Sequence, residues 1–395
     1  MLENIFSFFI QYKYIIIFYL IIILFLILHR KKIDVQGKII FLYRTKWGLA
    51  WMDKYSQKYR EVVILLGYIG IGIGFIGMLF ISFFLIKNII DLIIVPNAAA
   101  GVSLVLPGIN VPGMGILPFW HWLVAIFVIA IVHEFSHGIV ARAHNIEVKN
   151  TGIVFFGPVI GAFVEPNEKK MFKEKDTVQY SILAAGAFSN ILLAILAFLA
   201  LSFIFMPLEQ SMLEPKGFTF DGYYNQSYPF AQAGIAPGTI ITSINTHPTP
   251  SFQEFNDELQ CQKPGNTLII TTPKQSYTLT LAQNPDDPKK SFLGIKDIHN
   301  EFDRKPLYQS GILSIVYYAT NTIVIFLRWL FLLSFGIGLF NLLPLPIVDG
   351  GRMAQTFLHK LKGPTDGEKR YRLVSLFFLI VLLASLLLPF FLKML

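Results

Sequence analysis

The clearest chemical signal in the chain is His133-Glu134-Phe-Ser-His137, which lies within an apolar run from Phe119 to Ala143. Residues four apart share one face of a helix, so both imidazoles can point at a single metal ion. Glu134 follows the first histidine and can reach a metal-bound water as a general base. The pattern therefore predicts a hydrolytic Zn²⁺ site with His133 and His137 as ligands.

The alternative interpretation is an ordinary surface helix with two histidines, because this short pattern also occurs by chance. Here the surrounding run is apolar and long enough to cross a membrane. Each ionisable group inside a span costs roughly 2.5–3.5 kcal/mol on insertion scales. Two histidines and a glutamate so close together therefore favour a bound metal.

A catalytic zinc usually keeps three protein ligands and one open position, so a third ligand must come from elsewhere. The single cysteine, Cys261, excludes both a cysteine-based zinc site and an intramolecular disulfide. His121 and His144 lie towards opposite ends of the helix, too far along it to converge. Asp349 is the better candidate, because it lies in a run at 340–352 that prolines and glycines unwind after an apolar span. Taken alone, that run also fits a helix-ending loop with a solvated aspartate.

The bulk composition indicates a protein solvated by lipid. Hydrophobic residues make up 54% of the chain and charged residues 15%, compared with about 25% charged in soluble domains. The net charge is +8, but the basic residues flank apolar spans. This is the pattern of membrane orientation, so we expect a lipid bilayer and no nucleic acid as partner.

Apolar runs predict about six transmembrane helices, since a span needs about 20 such residues. The runs lie at 11–29, 61–86, 119–143, 179–206, 324–345 and 373–392. The loop between the first two is basic, which places it in the cytoplasm. Alternate counting then puts the lysine-rich segments 144–178 and 346–372 on the cytoplasmic side. The prediction is a multi-pass protein of the cell membrane, with its candidate site towards the cytoplasm.

Two segments depart from simple spanning. Residues 151–164 are apolar, too short to cross and broken by glycine and proline; they fit a re-entrant β-hairpin and, equally, a buried loop. Arg328 is a charge deep in a run, which is costly. The favoured interpretation is an interfacial helix at 309–327, with the span starting near Trp329.

Residues 210–300 differ from the rest in being rich in polar residues and proline. Alternating patterns predict strands at 267–271 and 276–281, and a serine cap predicts a helix at 251–259. These features indicate a small soluble α+β domain inserted between two spans, on the extracytoplasmic side.

The pair His133-Glu134-x-x-His137 and Asn341-x-x-Pro-x-x-x-x-Asp349-Gly resembles the site-2 protease family of intramembrane zinc metalloproteases. The resemblance implies that the two histidines and Asp349 bind Zn²⁺, that Glu134 is the catalytic base, and that the substrate is a transmembrane protein. Asn341 has a less defined role and can satisfy the carbonyls of the broken helix.

The resemblance covers the spans from about 119 to 206 and 324 to 352, and the inserted domain. The first two spans are similar to the N-terminal extension of archaeal members. The hairpin at 151–164 resembles the family's membrane-inserted β-element, which can add an unwound substrate as an extra strand. The predicted fold is thus membrane all-α with a re-entrant hairpin and an inserted domain.

A further motif, Gly186-x-x-x-Asn190, also matches the family. Asn190 offers an amide that can hydrogen-bond the scissile carbonyl or the developing oxyanion. The alternative is helix packing through Gly186, with Asn190 hydrogen-bonded across helices.

The insert resembles a PDZ module over 227–245, and both peptide capture and a size filter over the active site fit it. The predicted domains are an N-terminal membrane extension, the first part of the catalytic core, the PDZ-like domain and the second part of the core, at 1–118, 119–206, 207–305 and 306–395.

Two other functions use the same residues differently. An ion transporter could use the histidines and aspartate as a passing site, but no second copy of the motif is found and Glu134 favours hydrolysis. An idle membrane scaffold would bind partners through the PDZ-like domain. All four residues needed for chemistry are present, which argues against it.

Overall fold

The computed structural model describes residues 13–37, 39–95, 101–102, 105–108, 110–111, 114–156, 159–285 and 287–392. The chain divides into a membrane unit, Met1–Leu201 with Ile325–Leu395, and an inserted unit, Ser202–Val324. Among the described residues, five helices are long and apolar enough to cross a membrane. The first predicted span corresponds to an apolar helix of 16 residues, so a sixth crossing stays a prediction.

The membrane unit begins with short elements before its first long helix. They are α1 (Lys13–Leu28), β1 (Ile33–Gln36), β2 (Ile40–Thr45), α2 (Leu49–Lys58) and α3 (Arg60–Ile94), then β3 (Asn110–Val111) and β4 (Gly115–Ile116). The elements around the chemical motif are α4 (Phe119–Ala143), β5 (Val148–Phe156), β6 (Val159–Pro166), α5 (Glu168–Met171) and α6 (Asp176–Ala200).

The inserted unit begins within a π-helical turn at Leu201–Phe205. Its elements are α7 (Met206–Ser211), β7 (Leu213–Tyr223), α8 (Pro229–Gln232), β8 (Ser243–Ile244), β9 (His247–Pro248), α9 (Phe252–Gln260), β10 (Thr267–Thr271), β11 (Ser276–Thr280), β12 (Ala282–Gln283), β13 (Ser291–Phe292) and β14 (Ile295–Arg304). The chain ends with α10 (Gly311–Phe340) and α11 (Asp349–Leu392). Gly363, with a φ of 76°, breaks α11 into two helical segments.

The hairpin predicted at 151–164 is present as β5 and β6, but it belongs to a larger sheet. The antiparallel order is β1-β2-β5-β6, which leaves β6 as an edge strand. Strands β1 and β2 come from the basic loop, where no strand was predicted; pairs such as Phe41 with Phe155 join them to the hairpin. Gly157 and Pro158 at the predicted turn, and Lys38 in the loop, lie outside the described residues. A re-entrant position in the bilayer stays a prediction.

Small residues allow the helices around the motif to pack closely. Helix α6 contacts α3, α4 and α11, and its alanines at 184, 185 and 187 are buried in the shared core. Side chains of this size let helix backbones approach without a cavity. The result is a rigid junction of helices along the face of α4 that carries the histidines.

The inserted unit has a core of its own, in which Phe218, Phe220, Phe230 and Phe255 are fully buried. One sheet has the order β11-β10-β8-β9, and β7 pairs separately with β14. The strands predicted at 267–271 and 276–281 are present as β10 and β11. The predicted serine cap is also confirmed, since Ser251 accepts a hydrogen bond from the amide of Glu254 at the start of α9.

Arg328 lies inside α10, which runs without a break from Gly311 to Phe340. The expected division into an interfacial helix at 309–327 and a separate span is therefore not seen. The physical reason is that no proline or glycine interrupts residues 312–335, so nothing ends the helix near Trp329.

Candidate metal centre

The paired histidines lie about one turn apart on α4. The apolar run of α4 contains no proline after Pro118, its N-terminal cap, so the helix passes unbroken through His133 and His137. Their Nε2 atoms lie 3.2 Å apart. As expected from a spacing of four residues, both rings point to the same side of the helix.

Asp349 reaches the same point from another part of the chain. Helix α10 ends at Phe340, and prolines at 344 and 346 prevent it from continuing. The carbonyl of Asn341 accepts a 2.7 Å hydrogen bond from the amide of Gly350, which closes the loop. The Oδ2 atom of Asp349 consequently lies 3.1 Å from His133 Nε2 and 3.2 Å from His137 Nε2.

The three side chains fit a tetrahedral metal ion. Zn–N and Zn–O bonds of about 2.0–2.2 Å place neighbouring donors roughly 3.3–3.5 Å apart, close to the separations of 3.1–3.2 Å found here. The side chains are only 12%, 12% and 18% exposed. Among the described residues, Asp349 Oδ2 has no hydrogen-bond donor. A buried carboxylate oxygen without a donor is costly unless a cation lies beside it.

Each histidine is oriented through its other ring nitrogen. His137 Nδ1 lies 2.6 Å from the carbonyl oxygen of Ile182, and a carbonyl only accepts. Nδ1 therefore carries the proton, which leaves the Nε2 lone pair free for a metal. Metal-binding histidines are commonly fixed in this way by a partner behind the ring.

Asn190 has the equivalent position behind His133. Its side chain is fully buried, with Nδ2 3.1 Å from His133 Nδ1 and with Oδ1 lacking a partner among the described residues. A half-turn of the amide exchanges these two atoms and places Oδ1 where it accepts from Nδ1–H. The structure thus places Asn190 behind the His133 ring, on the side away from Asp349. Its predicted contact with a scissile carbonyl stays a prediction.

Gly186 explains the other half of the Gly-x-x-x-Asn motif. A Cβ atom added there would collide with His137 Nε2 and would lie 2.6 Å from His133 Nε2. The two imidazoles pack directly against the backbone of α6, so only glycine leaves room for both. Helix α6 therefore forms a wall of the site as well as a support.

Glu134 lies on a different side of α4 from the two histidines. It is absent from the group of converging ligand atoms, and its Oε2 accepts a 2.8 Å hydrogen bond from the amide of Val164. Because Val164 belongs to the edge strand β6, the carboxylate is held between the metal site and the sheet. This backbone donor could not be recognised from the residue type.

The two other histidines considered from sequence lie away from the site. His144 Nε2 is 3.1 Å from the Ser181 hydroxyl, and burial, followed by the charge of Arg60, lowers its pKa below the usual value. His121 contacts the ring of Phe326. Neither belongs to the converging group found among the described residues.

A structural feature of the inserted unit was also missed from sequence. A cavity of about 430 Å³ lies beside α9 and β14, with a lining that includes Phe252, Leu259, Lys289, Gly294, Ile295 and Ile298. Gly294 has a positive φ of 79° and forms a tight turn before β14. The signal in the sequence is a glycine between the apolar residues Leu293 and Ile295.

Comparisons with known proteins agree with this geometry. The profile described as Peptidase family M50 matches residues 121–385. An uncharacterized protein of Methanocaldococcus jannaschii is 27% identical over 90% of this chain and 86% of its own length. The zinc metalloprotease RasP of Oceanobacillus iheyensis is 26% identical over 51% of this chain and 56% of its own length, so the chain matches little more than half of that relative.

A solved domain structure is similar to part of the chain. The PDZ domain of the SdrC-like protein from Listeria monocytogenes matches 20% of this chain and 85% of that domain, with 22% identity and a TM-score of 0.18. A TM-score this low carries no argument about the fold. The PDZ-like nature of the inserted unit therefore stays a prediction.

Proposed function

Because the chain belongs to peptidase family M50, we propose that it is a zinc-dependent endopeptidase of the membrane that cleaves transmembrane segments of other proteins. The observation that carries the proposal is the convergence of His133, His137 and Asp349, with Glu134 directly after His133 on the same helix. These groups lie in or at the ends of helices that are apolar enough for a bilayer, where charged groups without a function are costly.

His133, His137 and Asp349 are the proposed ligands of Zn²⁺. When bound, the ion supplies a water that ionises near neutral pH instead of near pH 16. Glu134 takes a proton from the attacking water and passes it to the leaving amine. Asn190 and the Ile182 carbonyl hold the two imidazoles in position from behind.

The substrate has to be extended at the bond that is cut, because backbone amides in a helix are shielded by their own hydrogen bonds. Strand β6 offers an open edge next to Glu134, and strand addition to such an edge is a common way of binding extended peptides. We infer that the hairpin enters the membrane from the cytoplasmic side. The positive-inside rule gives the same side for the basic loop and the opposite side for the inserted unit.

The inserted unit is a second element of substrate selection. Its cavity is lined in part by β14 and by Gly294, which has a positive φ of 79° just before that strand. Both features suit an extended peptide. A filter that excludes bulky ectodomains is the competing role, and the two differ in a measurable way. Capture requires direct binding of a peptide to the purified protein, whereas a filter does not.

The test is cleavage of a model single-span substrate by the purified protein in detergent, with bound zinc quantified. Wild type is compared with Glu134→Gln and with Glu147→Gln, an exposed glutamate outside the site. We expect cleavage by wild type and Glu147→Gln, and retained zinc without cleavage in Glu134→Gln. If all three bind zinc and none cleaves a broad panel of substrates, the protease proposal is wrong. Ion flux in liposomes then tests the transporter alternative.

A further inference from the structure

The contact between Glu134 and strand β6 has a consequence for substrate register. Val164 pairs with Thr151 in the ladder between β5 and β6, yet its amide donates to Glu134 and not to β5. Amides of an antiparallel strand alternate between its two sides. Since the register is regular from Ile160 to Val164, the amides of Ile160 and Ala162 also point to the open side.

Gly138 allows the strand to approach the helix at this point. It lies one turn after Glu134 on α4, and a Cβ added there would lie 2.6 Å from Met52 Sδ and 3.2 Å from Val164 Cγ1, so the glycine leaves room for α2 and for the strand. The strand is also fixed by the next residue, since Glu165 accepts hydrogen bonds from Asn150 at 2.9 Å and from Arg44 at 3.3 Å. Close packing on α4 at Gly138 and the hydrogen bonds of Glu165 to the neighbouring strands therefore both hold Val164 near Glu134.

We propose that Val164 is a positioning residue whose amide holds Glu134 and, by doing so, ends the stretch of β6 to which a substrate strand can pair. An amide that already donates to a carboxylate is not available to a second acceptor. A substrate strand can use the amides of Ile160 and Ala162, whereas Val164 offers it no amide, so the run of donors on β6 ends at Ala162. The first peptide bond beyond the paired stretch then lies beside Glu134. This inference rests on the proposed function and adds what determines which bond is cut.

Two proline variants on the same strand test the proposal, because proline removes an amide and is tolerated on an open edge. Hydrogen bonds to charged groups contribute about 1.5–3 kcal/mol, which corresponds to roughly 10–100-fold in rate. We therefore expect Val164→Pro to lower kcat by about 10-fold or more with little change in KM. Ala162→Pro is expected to raise KM several-fold with kcat nearly unchanged. Bound zinc should be the same in both.

Hydrogen exchange gives a measurement that does not depend on cleavage or on the folding of the proline variants. Exchange of the Val164 amide should accelerate about 10-fold or more in Glu134→Ala, while the Ala162 amide serves as internal reference and stays unchanged. Equal exchange at Val164 in the two proteins would overturn the contact. A rise in KM for Val164→Pro without a loss of kcat would assign its amide to substrate pairing and overturn the register.

The outcomes also separate this inference from the proposed function. Wild-type protein that cleaves no substrate would overturn the proposed function and the register together. Cleavage by wild type, with kcat and KM of Val164→Pro equal to those of wild type, would overturn the register and leave the protease proposal intact.

Discussion

Helix α4 has two sides in the proposed site, and they are built by different means. On one side, His133 and His137 are enclosed by α6 and α11, and each ring has a partner behind it in Asn190 or in the carbonyl of Ile182. On the other side, Glu134 meets a single backbone amide of an edge strand. Packed helices hold their side chains in one geometry, whereas an edge strand can exchange partners.

The difference matches the two tasks of a hydrolytic site. Ligands of a metal ion have to stay in place throughout the reaction, so a dense helical surround suits them. A group that acts on successive substrates has to lie where a substrate can reach it. Changes on the helix side should therefore act through zinc, and changes on the sheet side through substrate handling.

The largest effect is expected from Asp349→Asn, which keeps the shape of the side chain and removes its charge. The neutral amide no longer offsets the positive charge of the ion. We therefore expect the variant to lose its bound zinc and to cleave substrate only at the background rate. Zinc content by elemental analysis is the measurement. Asp366→Asn, at an exposed position beyond the break at Gly363, is the control and should keep both. A variant at 349 that holds one zinc per protein would contradict the ligand assignment.

A large effect is also expected from Gly186→Ala. The added methyl group collides with the imidazoles and has to displace at least one of them. We expect zinc affinity to fall by at least the roughly 10–100-fold that loss of a ligand's supporting contact costs. Gly336→Ala is the matched control, because a Cβ there meets no atom within 4 Å. Equal zinc affinity in the two variants would show that the histidines do not depend on the surface of α6.

Asn190 gives an intermediate effect and distinguishes its two proposed roles. If its Oδ1 accepts from His133 Nδ1–H, Asn190→Ala should lose about 10–100-fold in zinc affinity and Asn190→Asp should restore most of it. If its amide instead donates to a scissile carbonyl, both variants should keep zinc and lose kcat. Titration with a zinc chelator, together with steady-state kinetics, separates the two results.

The parts of this site that local pattern describes were predictable from the sequence. A spacing of four on an apolar helix identified His133 and His137, and hydropathy located the five long helices. Asp349 required more, because only the resemblance to a family connected it with residues more than 200 positions earlier. No local rule states where an unwound segment will approach another helix.

What could not be predicted depends on backbone groups and distant pairing. The amide of Val164 and the carbonyl of Ile182 exist in every residue, so their identity carries no signal. The pairing of β2 with β5 joins segments about 110 residues apart, and register over such distances is set by the fold as a whole. The same limit explains why the hairpin was expected alone and is found within a four-stranded sheet.

The smallest effect is expected on the sheet side, at Glu165. Hydrogen bonds from Asn150 and then from Arg44 hold the pKa of this carboxyl below its usual value. A lowered pKa in the folded state contributes stability above the unfolded value of about 4.3, and the contribution is lost as pH falls through the folded pKa. The side chain is 38% exposed, so solvent screens the pair and the contribution should stay under about 1 kcal/mol.

Glu165→Gln should accordingly lower the melting temperature slightly at pH 7. The difference should shrink as the pH falls below about 4.3 and disappear only below the lowered pKa of the folded carboxyl. Added salt should reduce the difference. Zinc content should not change, because Glu165 contacts none of the proposed ligands. KM should rise less than about twofold, because β6 loses the charge that binds Arg44 but keeps an acceptor for Asn150. A loss of zinc in this variant would mean that the two sides of α4 are not independent.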